Sequence, residues 1–479
     1  MAGIGFALRD LMRKEGLFAL VESQLHGVIV VAGPWFFTII AMALPGLLHG
    51  EAGSAHTTSF VTLLLYVFST TLVVTSPLAI GLTRRLSDLL YGGREDALIS
   101  AFVGTLLLAL LACGPIVVGG AALLDLPPDV LAQAVVAEGL VTLSWIAAPM
   151  LSTLRAFRPL TGAYAAGTLA FAGWLRLSGS DAVSDLLFGF NLGMAVNNAI
   201  AIGLLLRSFP GRSDGLFAVL DTMRRYWELP VGGLLYGLGI WADKWLMWGA
   251  PERLVDSVGL STYPTYDTAA FIAYVTTVPG LGLFIVRAET DLHERCRALY
   301  GAIGRHASRQ QLDQARNDLI VSFVGTSRDV ALLQLSITAL CLLLPTVPLD
   351  LLSVPHVGVF MFRFAVLGAA FQSGAMMLCI VLFYFDSRRD VMIVHGVFLL
   401  LNVVCTGATL LAGLPSYGMG FAVAATLTFA VAFFLVRRAL LRLLYLAFVR
   451  QNEAVAAQSE LPPPPDRRFA TTLGPSPDA

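Results

Sequence analysis

The sequence predicts an all-α polytopic membrane protein of about twelve transmembrane helices, arranged as two six-helix lobes around a central cavity with both termini in the cytoplasm. Three observations carry this. Of 479 residues, 57% are hydrophobic and 13% charged, and the mean hydropathy is +0.76, far too apolar for a soluble chain of this size. Apolar runs of the length that crosses a bilayer, roughly 20 residues, recur along the whole chain. Finally, 27 of the 31 Lys and Arg residues fall in the N-terminal arm, in alternate loops and in the C-terminal stretch, the bias expected of cytoplasmic segments.

Residues 1–20 read as an amphipathic cytoplasmic helix, with Ile4, Leu8, Leu11 and Met12 on one side and Arg9, Arg13 and Lys14 towards the other. The apolar run that follows is too long for a signal-peptide core, so the N-terminus is expected to be retained. Spans are expected at 24–48, 59–82, 98–124, 130–154, 159–177 and 185–206. A second set is expected at 230–250, 266–286, 330–352, 357–385, 391–412 and 417–436. Glycine, proline or charge interrupts the fifth, seventh and ninth runs. The first six make an N-lobe at 21–208 and the others a C-lobe at 230–440, joined by a cytoplasmic linker at 209–229. Prolines inside the runs permit bending, above all at Gly33-Pro34-Trp35 and Pro279-Gly280. The tail at 451–479, with PPPP at 462–465, has little to bury and is expected to be disordered.

An enzyme is not expected. The sequence has no Walker A, GxSxG or HExxH motif and no aspartate pair of the kind a processive glycosyltransferase uses, so no catalytic residue is assigned. The five cysteines are dispersed without metal-ligand spacing and read as small apolar packing residues. No metal, cofactor or nucleic-acid partner is expected.

The stretch Gly232 to Gly249 organises the rest. It is long and apolar enough to cross a bilayer, yet it contains Asp243 and Lys244, and charges at that depth normally face a protein interior, a watery cavity or a charged partner. At 100° per residue, Trp241, Lys244, Trp245 and Trp248 share one face, whereas Asp243 lies with Gly232, Tyr236, Gly239 and Ile240 on another. Three readings stay open. Lys244 can snorkel among interfacial tryptophans, Asp243 can line a polar path, or the two can form a local ion pair. Other polar residues within runs need internal partners or water, and His26, Glu138, Asn191, Asn197, Asn198, Arg363, Gln372 and Asn402 are the candidates. An ion pair between Asp243 and Arg363 would lower the cost of both. The substrate-path candidates are therefore Asp243, Lys244, Tyr236, Trp241, Trp245, Arg363, Asn191, Asn197, Gln372 and His26.

The largest cytoplasmic connection, 287–329, carries Leu292, Cys296, Leu299, Tyr300 and Ile303 at helical spacing among charges. It suits either docking of a cytosolic partner, through Leu292, Arg295, Leu299 and Tyr300, or an amphipathic connector lying on the membrane.

Several stretches carry a family resemblance: Ala2-Gly3-Ile4-Gly5-Phe6-Ala7-Leu8-Arg9, Gly33-Pro34-Trp35, Ser76-Pro77 with Thr83-Arg84 and Leu89-Leu90-Tyr91, and Gly239-Ile240-Trp241-Ala242-Asp243-Lys244-Trp245. Tyr266-Asp267, Phe271-Ile272-Ala273-Tyr274, Pro279-Gly280 and Glu289-Thr290 continue it. With these the chain, from residue 2 to about 450, resembles the PelG family, inner-membrane Pel exopolysaccharide transporters of the multidrug/oligosaccharidyl-lipid/polysaccharide exporter superfamily.

The resemblance implies two six-helix lobes and translocation of a polysaccharide rich in N-acetylgalactosamine and galactosamine, for a biofilm matrix. It also implies PelD-like and PelE-like membrane partners, the former binding cyclic di-GMP, and a PelF-like cytosolic glycosyltransferase using a UDP-sugar. It implies no site residues. A polymer passing loose aromatic and amide contacts is the expected mechanism, with protonation of Asp243 as a second way to drive it. The alternatives are a cation-coupled drug exporter or lipid-linked oligosaccharide flippase of the same fold, or a non-conducting scaffold of a synthase complex.

Overall fold

In lipid, backbone N–H and C=O groups must pair within their own segment, and the apolar runs accordingly fold as long helices. The structure, a computed structural model, describes residues 37, 40–48, 54–124, 126–152, 157–209, 211, 215–256, 259–345 and 358–445. The expected amphipathic helix at 1–20, His26, the Gly33-Pro34-Trp35 bend and the tail at 451–479 lie outside the described residues.

After a helical segment at 40–48 come α1 (Ala55–Tyr91), α2 (Leu98–Leu123), α3 (Pro128–Leu151), α4 (Phe157–Ser178) and α5 (Val183–Ser208). The linker holds a short helix, α6 (Ala218–Arg225), whose Val219 and Thr222 are buried where it packs on α1 and α2. Next are α7 (Glu228–Met247), a small hairpin of β1 (Leu254–Val255) and β2 (Ser261–Thr262), α8 (Pro264–Val275) and α9 (Val278–Arg287). The chain ends in α10 (His293–Gly304), α11 (Arg309–Leu343), α12 (Gly358–Tyr384), α13 (Arg388–Ala412) and α14 (Met419–Leu441).

Nine stretches among the described residues are long and apolar enough to cross a membrane. The fifth and seventh expected runs, α4 and α7, are helical but not among the nine, and the first run is only partly described. The eighth run is interrupted: α8 stops at Val275 and α9 starts at Val278, just before Pro279, which has no N–H to continue the helical ladder.

In the N-lobe, α1 packs on α2 and α3, α3 on α5, and α5 on α4; in the C-lobe, α7 packs on α13, α13 on α14, α14 on α12, and α12 on α8. The lobes meet along α1 and α7. That approach is glycine-dependent. A Cβ at Gly233 would stand 2.8 Å from the Ser76 carbonyl and 3.1 Å from the Pro77 Cα, and one at Gly237 would stand 3.1 Å from the Val73 Cα. Small residues four apart on α7 thus seat the kinkable Pro77 stretch of α1 backbone to backbone.

The connection at 287–329 is helical. A wide π turn at Ala288–Leu292 leads into α10, and Ser308 opens α11 with a capping box, its side chain accepting from the Gln311 N–H while Gln311 reaches back to the Ser308 N–H. Leu292 and Leu299, expected to face a partner, are 2% and 0% exposed, and lie in one core cluster with Leu319, Phe323 and Leu382. The chain's own helices cover that apolar face. Arg295 remains half exposed and pairs with Asp318 at 3.9 Å, and Tyr300 is partly buried.

Candidate functional site

The face of α7 that carries Gly232, Tyr236, Gly239 and Asp243 docks against α13. His395 Nδ1 lies 2.9 Å from the Gly232 carbonyl, the Tyr236 and His395 rings pack 5.0 Å apart, and Asn402 Nδ2 donates to the Gly239 carbonyl at 2.9 Å. Asn402 also donates to Asp243 Oδ1 at 3.2 Å and accepts from Thr406 Oγ1 at 3.1 Å. Asp243, with 0% exposure, takes a second bond from the Tyr266 hydroxyl of α8 at 2.8 Å.

Lys244 does not snorkel. Its Nζ turns back to Asp243 Oδ2 at 3.1 Å and to the Ile240 carbonyl at 3.0 Å, leaving the residue 8% exposed. The local ion pair that the sequence left open is formed, and four helices enclose it. Three rings surround the ammonium: Tyr274 of α8 at 5.3 Å, and Trp241 of α7 and Phe421 of α14 at 5.8 Å each. A cation over aromatic faces is attracted by the ring quadrupole, more so when desolvated. The Trp241 Nε1 and the Tyr274 hydroxyl are buried without a hydrogen-bond partner among the described residues.

A second buried carboxylate stands close by. Asp267 accepts from Trp248 Nε1 at 3.0 and 3.2 Å and from the Tyr263 N–H at 3.3 Å. Trp248 in turn stacks on Tyr66 of the N-lobe, centroids 4.6 Å apart, and the Tyr66 hydroxyl donates to the Ser261 carbonyl at 2.9 Å. The tryptophan face of α7 therefore packs across the lobe boundary. Trp245 is half-buried in the same cluster.

The remaining candidates do not converge on this network. Arg363 is exposed on α12, and the pair imagined between it and Asp243 is not formed, because Lys244 takes that role. Gln372 is buried elsewhere on α12. Asn191 donates to the Gln133 carbonyl and side chain, both at 2.9 Å, fastening α5 to α3, and Asn197 is buried against Gly167 of α4. Tyr236 donates to Met376 Sδ at 2.9 Å. Sequence reasoning gave no site role to Tyr266, Asp267 or Tyr274. Their signal was an acid and two tyrosines in a twelve-residue apolar helix, and an acid in a first turn reads most simply as a dipole partner.

The sequence profile described as "PelG: Putative exopolysaccharide Exporter (EPS-E)" matches residues 1–448. The chain belongs to this family. Solved structures give the fold. A MATE transporter in complex with MaL6 is 14% identical, with a TM-score of 0.59 over 86% of this chain and 96% of that one. A MOP superfamily transporter from Pyrococcus furiosus, also 14% identical, has a TM-score of 0.59 over 87% and 96%. A multidrug resistance MATE transporter in its inward-facing conformation, again 14% identical, gives 0.59 over 86% and 98%. No curated protein sequence matches. As a PelG-family member with this two-lobe fold, the chain is a multi-pass membrane exporter of exopolysaccharide.

Proposed function

We propose that the chain carries the Pel polymer, rich in N-acetylgalactosamine and galactosamine, across the bacterial inner membrane. Twelve spans, an N-lobe at 21–208 and a C-lobe at 230–440 are part of this reading, with the basic end of the bundle in the cytoplasm as positive charge demands. A PelF-like glycosyltransferase supplies the polymer there, and PelD-like and PelE-like membrane partners complete the apparatus, with Arg295 and Tyr300 as contact candidates. The polar path runs past Asp243, Lys244, Trp241 and Tyr236. One observation carries it: a buried ion pair walled by Trp241, Tyr274 and Phe421 keeps two donors, the Trp241 indole and the Tyr274 hydroxyl, that have no acceptor among the described residues. Buried donors without acceptors cost stability, and a passing sugar supplies both acceptors and an apolar ring face.

The test is secreted galactosamine polymer from a gene-deletion strain complemented at matched membrane levels. Asp243→Asn alone strands an ammonium, which costs about 3–5 kcal/mol in buried pairs, so Asp243→Asn/Lys244→Met is the decisive variant. Loss of secretion with the glycosyltransferase still bound is expected. Normal secretion from the double variant sinks the polar path and leaves the pair a packing device.

A further inference from the structure

At the end of the bundle opposite Arg84 and Arg388, the first turns of α1 face the β1–β2 hairpin and the start of α8 across the lobe boundary. Between them lies a cleft of about 360 Å³, within the range of small-molecule sites, about 300–1,000 Å³. Five of its ten lining residues are threonines. Thr58 and Thr62 come from one lobe, Thr262 and Thr268 from the other, and Asp267 completes the polar lining. Aliphatic Val61 and Leu65 form part of the wall.

We propose that this cleft is a saccharide subsite that holds one pyranose ring of the polymer on the far side of the buried pair. The proposal rests on the reading that the chain exports polysaccharide. Its chemistry is that of a sugar site. Hydroxyl-bearing side chains both donate and accept, which matches ring hydroxyls that do the same, and the aliphatic wall suits the C–H face of a pyranose. Thr62 and Thr262 approach each other across the lobes at 3.4 Å, at the long limit of a hydrogen bond, so a bridging sugar hydroxyl gains more than it displaces. Asp267 is held by Trp248 and the Tyr263 N–H and keeps lone pairs for a further donor, since a carboxylate offers about four acceptor sites. The indole that fixes it, Trp248, follows directly on α7, the helix of Asp243 and Lys244, so the cleft and the buried pair are neighbouring stations linked through one side chain. Weak, exchangeable bonds at successive stations let a polymer advance where one tight site would stall it.

The experiment uses the full chain in cells making polymer. Thr58→Cys, in the cleft, and Glu252→Cys, exposed at the same end but not lining the cleft, are labelled with a membrane-impermeant maleimide, with the glycosyltransferase active or inactive. Labelling at Thr58→Cys is expected to slow several-fold when polymer is made, with no change at Glu252→Cys. Thr58→Val/Thr268→Val, which removes hydroxyls at nearly constant volume, is expected to cut secreted polymer at unchanged membrane level. Equal labelling rates at Thr58→Cys with and without polymer, in cells whose secretion depends on this gene, overturn the subsite and leave export standing. Secretion that persists without the gene overturns the export reading, and the subsite falls with it.

Discussion

Asp243 survives in an apolar helix because three separate groups meet its two oxygens: the Lys244 ammonium, the Tyr266 hydroxyl and the Asn402 amide. Hydrogen bonds to a charged acceptor are worth about 1.5–3 kcal/mol, and groups sharing one acceptor are coupled. Tyr266→Phe is therefore expected to lower the thermal midpoint of the detergent-purified protein in the native background, and to lower it much less when Asp243→Asn/Lys244→Met is already present. Equal losses in both backgrounds mean that Tyr266 acts through packing alone. The helical wheel placed Asp243 with Gly232, Tyr236 and Gly239 correctly, because face assignment depends only on local geometry. It separated Asp243 from Lys244, whereas the lysine's long stem closes that angle. No periodicity could indicate that Tyr266 and Tyr274 fold back beside them, since that contact is made by the tertiary packing of α8. Arg363 does not pair with Asp243 and stands exposed on α12, because hydropathy registers a charge in an apolar run without registering the side of the helix on which it stands.

At the scale of an element, α7 is a two-sided wedge of glycines. Gly233 and Gly237 admit α1, whereas Gly232 faces Met392 and His395 of α13, where a Cβ would find ordinary contacts of 3.5 Å and beyond. These adjacent positions predict opposite outcomes for one chemical change. Gly232→Ala gains helix propensity, up to about 1 kcal/mol, and is expected to hold or raise the thermal midpoint. Gly233→Ala must push the Ser76 carbonyl away from a 2.8 Å clash and is expected to lower it, with secretion reduced. Equal midpoints for the two variants contradict the packing. The glycines were legible in the sequence as interruptions of a span, but the partner each one admits was not. The same holds for 287–329, whose amphipathic spacing was plain, whereas the cover over Leu292 and Leu299 is α11 and α12, brought there by the fold.

Across the whole molecule the two lobes are also tied at the basic end, where the tie is polar. Arg84 of α1 stands over the Tyr226 ring, and Arg388 of α13 stands over the same ring, each 4.6 Å from its centroid. Asp386, in the left-handed conformation that closes α12, lies 3.2 Å from Arg388 and 3.8 Å from Arg84. These side chains are a quarter to two-fifths exposed, and such pairs are individually weak and screened by salt. Any motion that parts the lobes at this end must break the cluster, and its weakness keeps that motion accessible. Ile80, one turn before Arg84 and in contact range of Gly233, reports on the gap. Arg84→Glu, which places like charges against Asp88 and Asp386, is expected to speed maleimide labelling of Ile80→Cys from the side of the basic end and to lower secretion. Adding Asp386→Arg restores one attraction across the boundary and is expected to slow labelling again. If Arg84→Glu leaves the labelling rate unchanged, the cluster does not hold the lobes, and the glycine seam between α1 and α7 and the Tyr66–Trp248 contact at the other end do so without it.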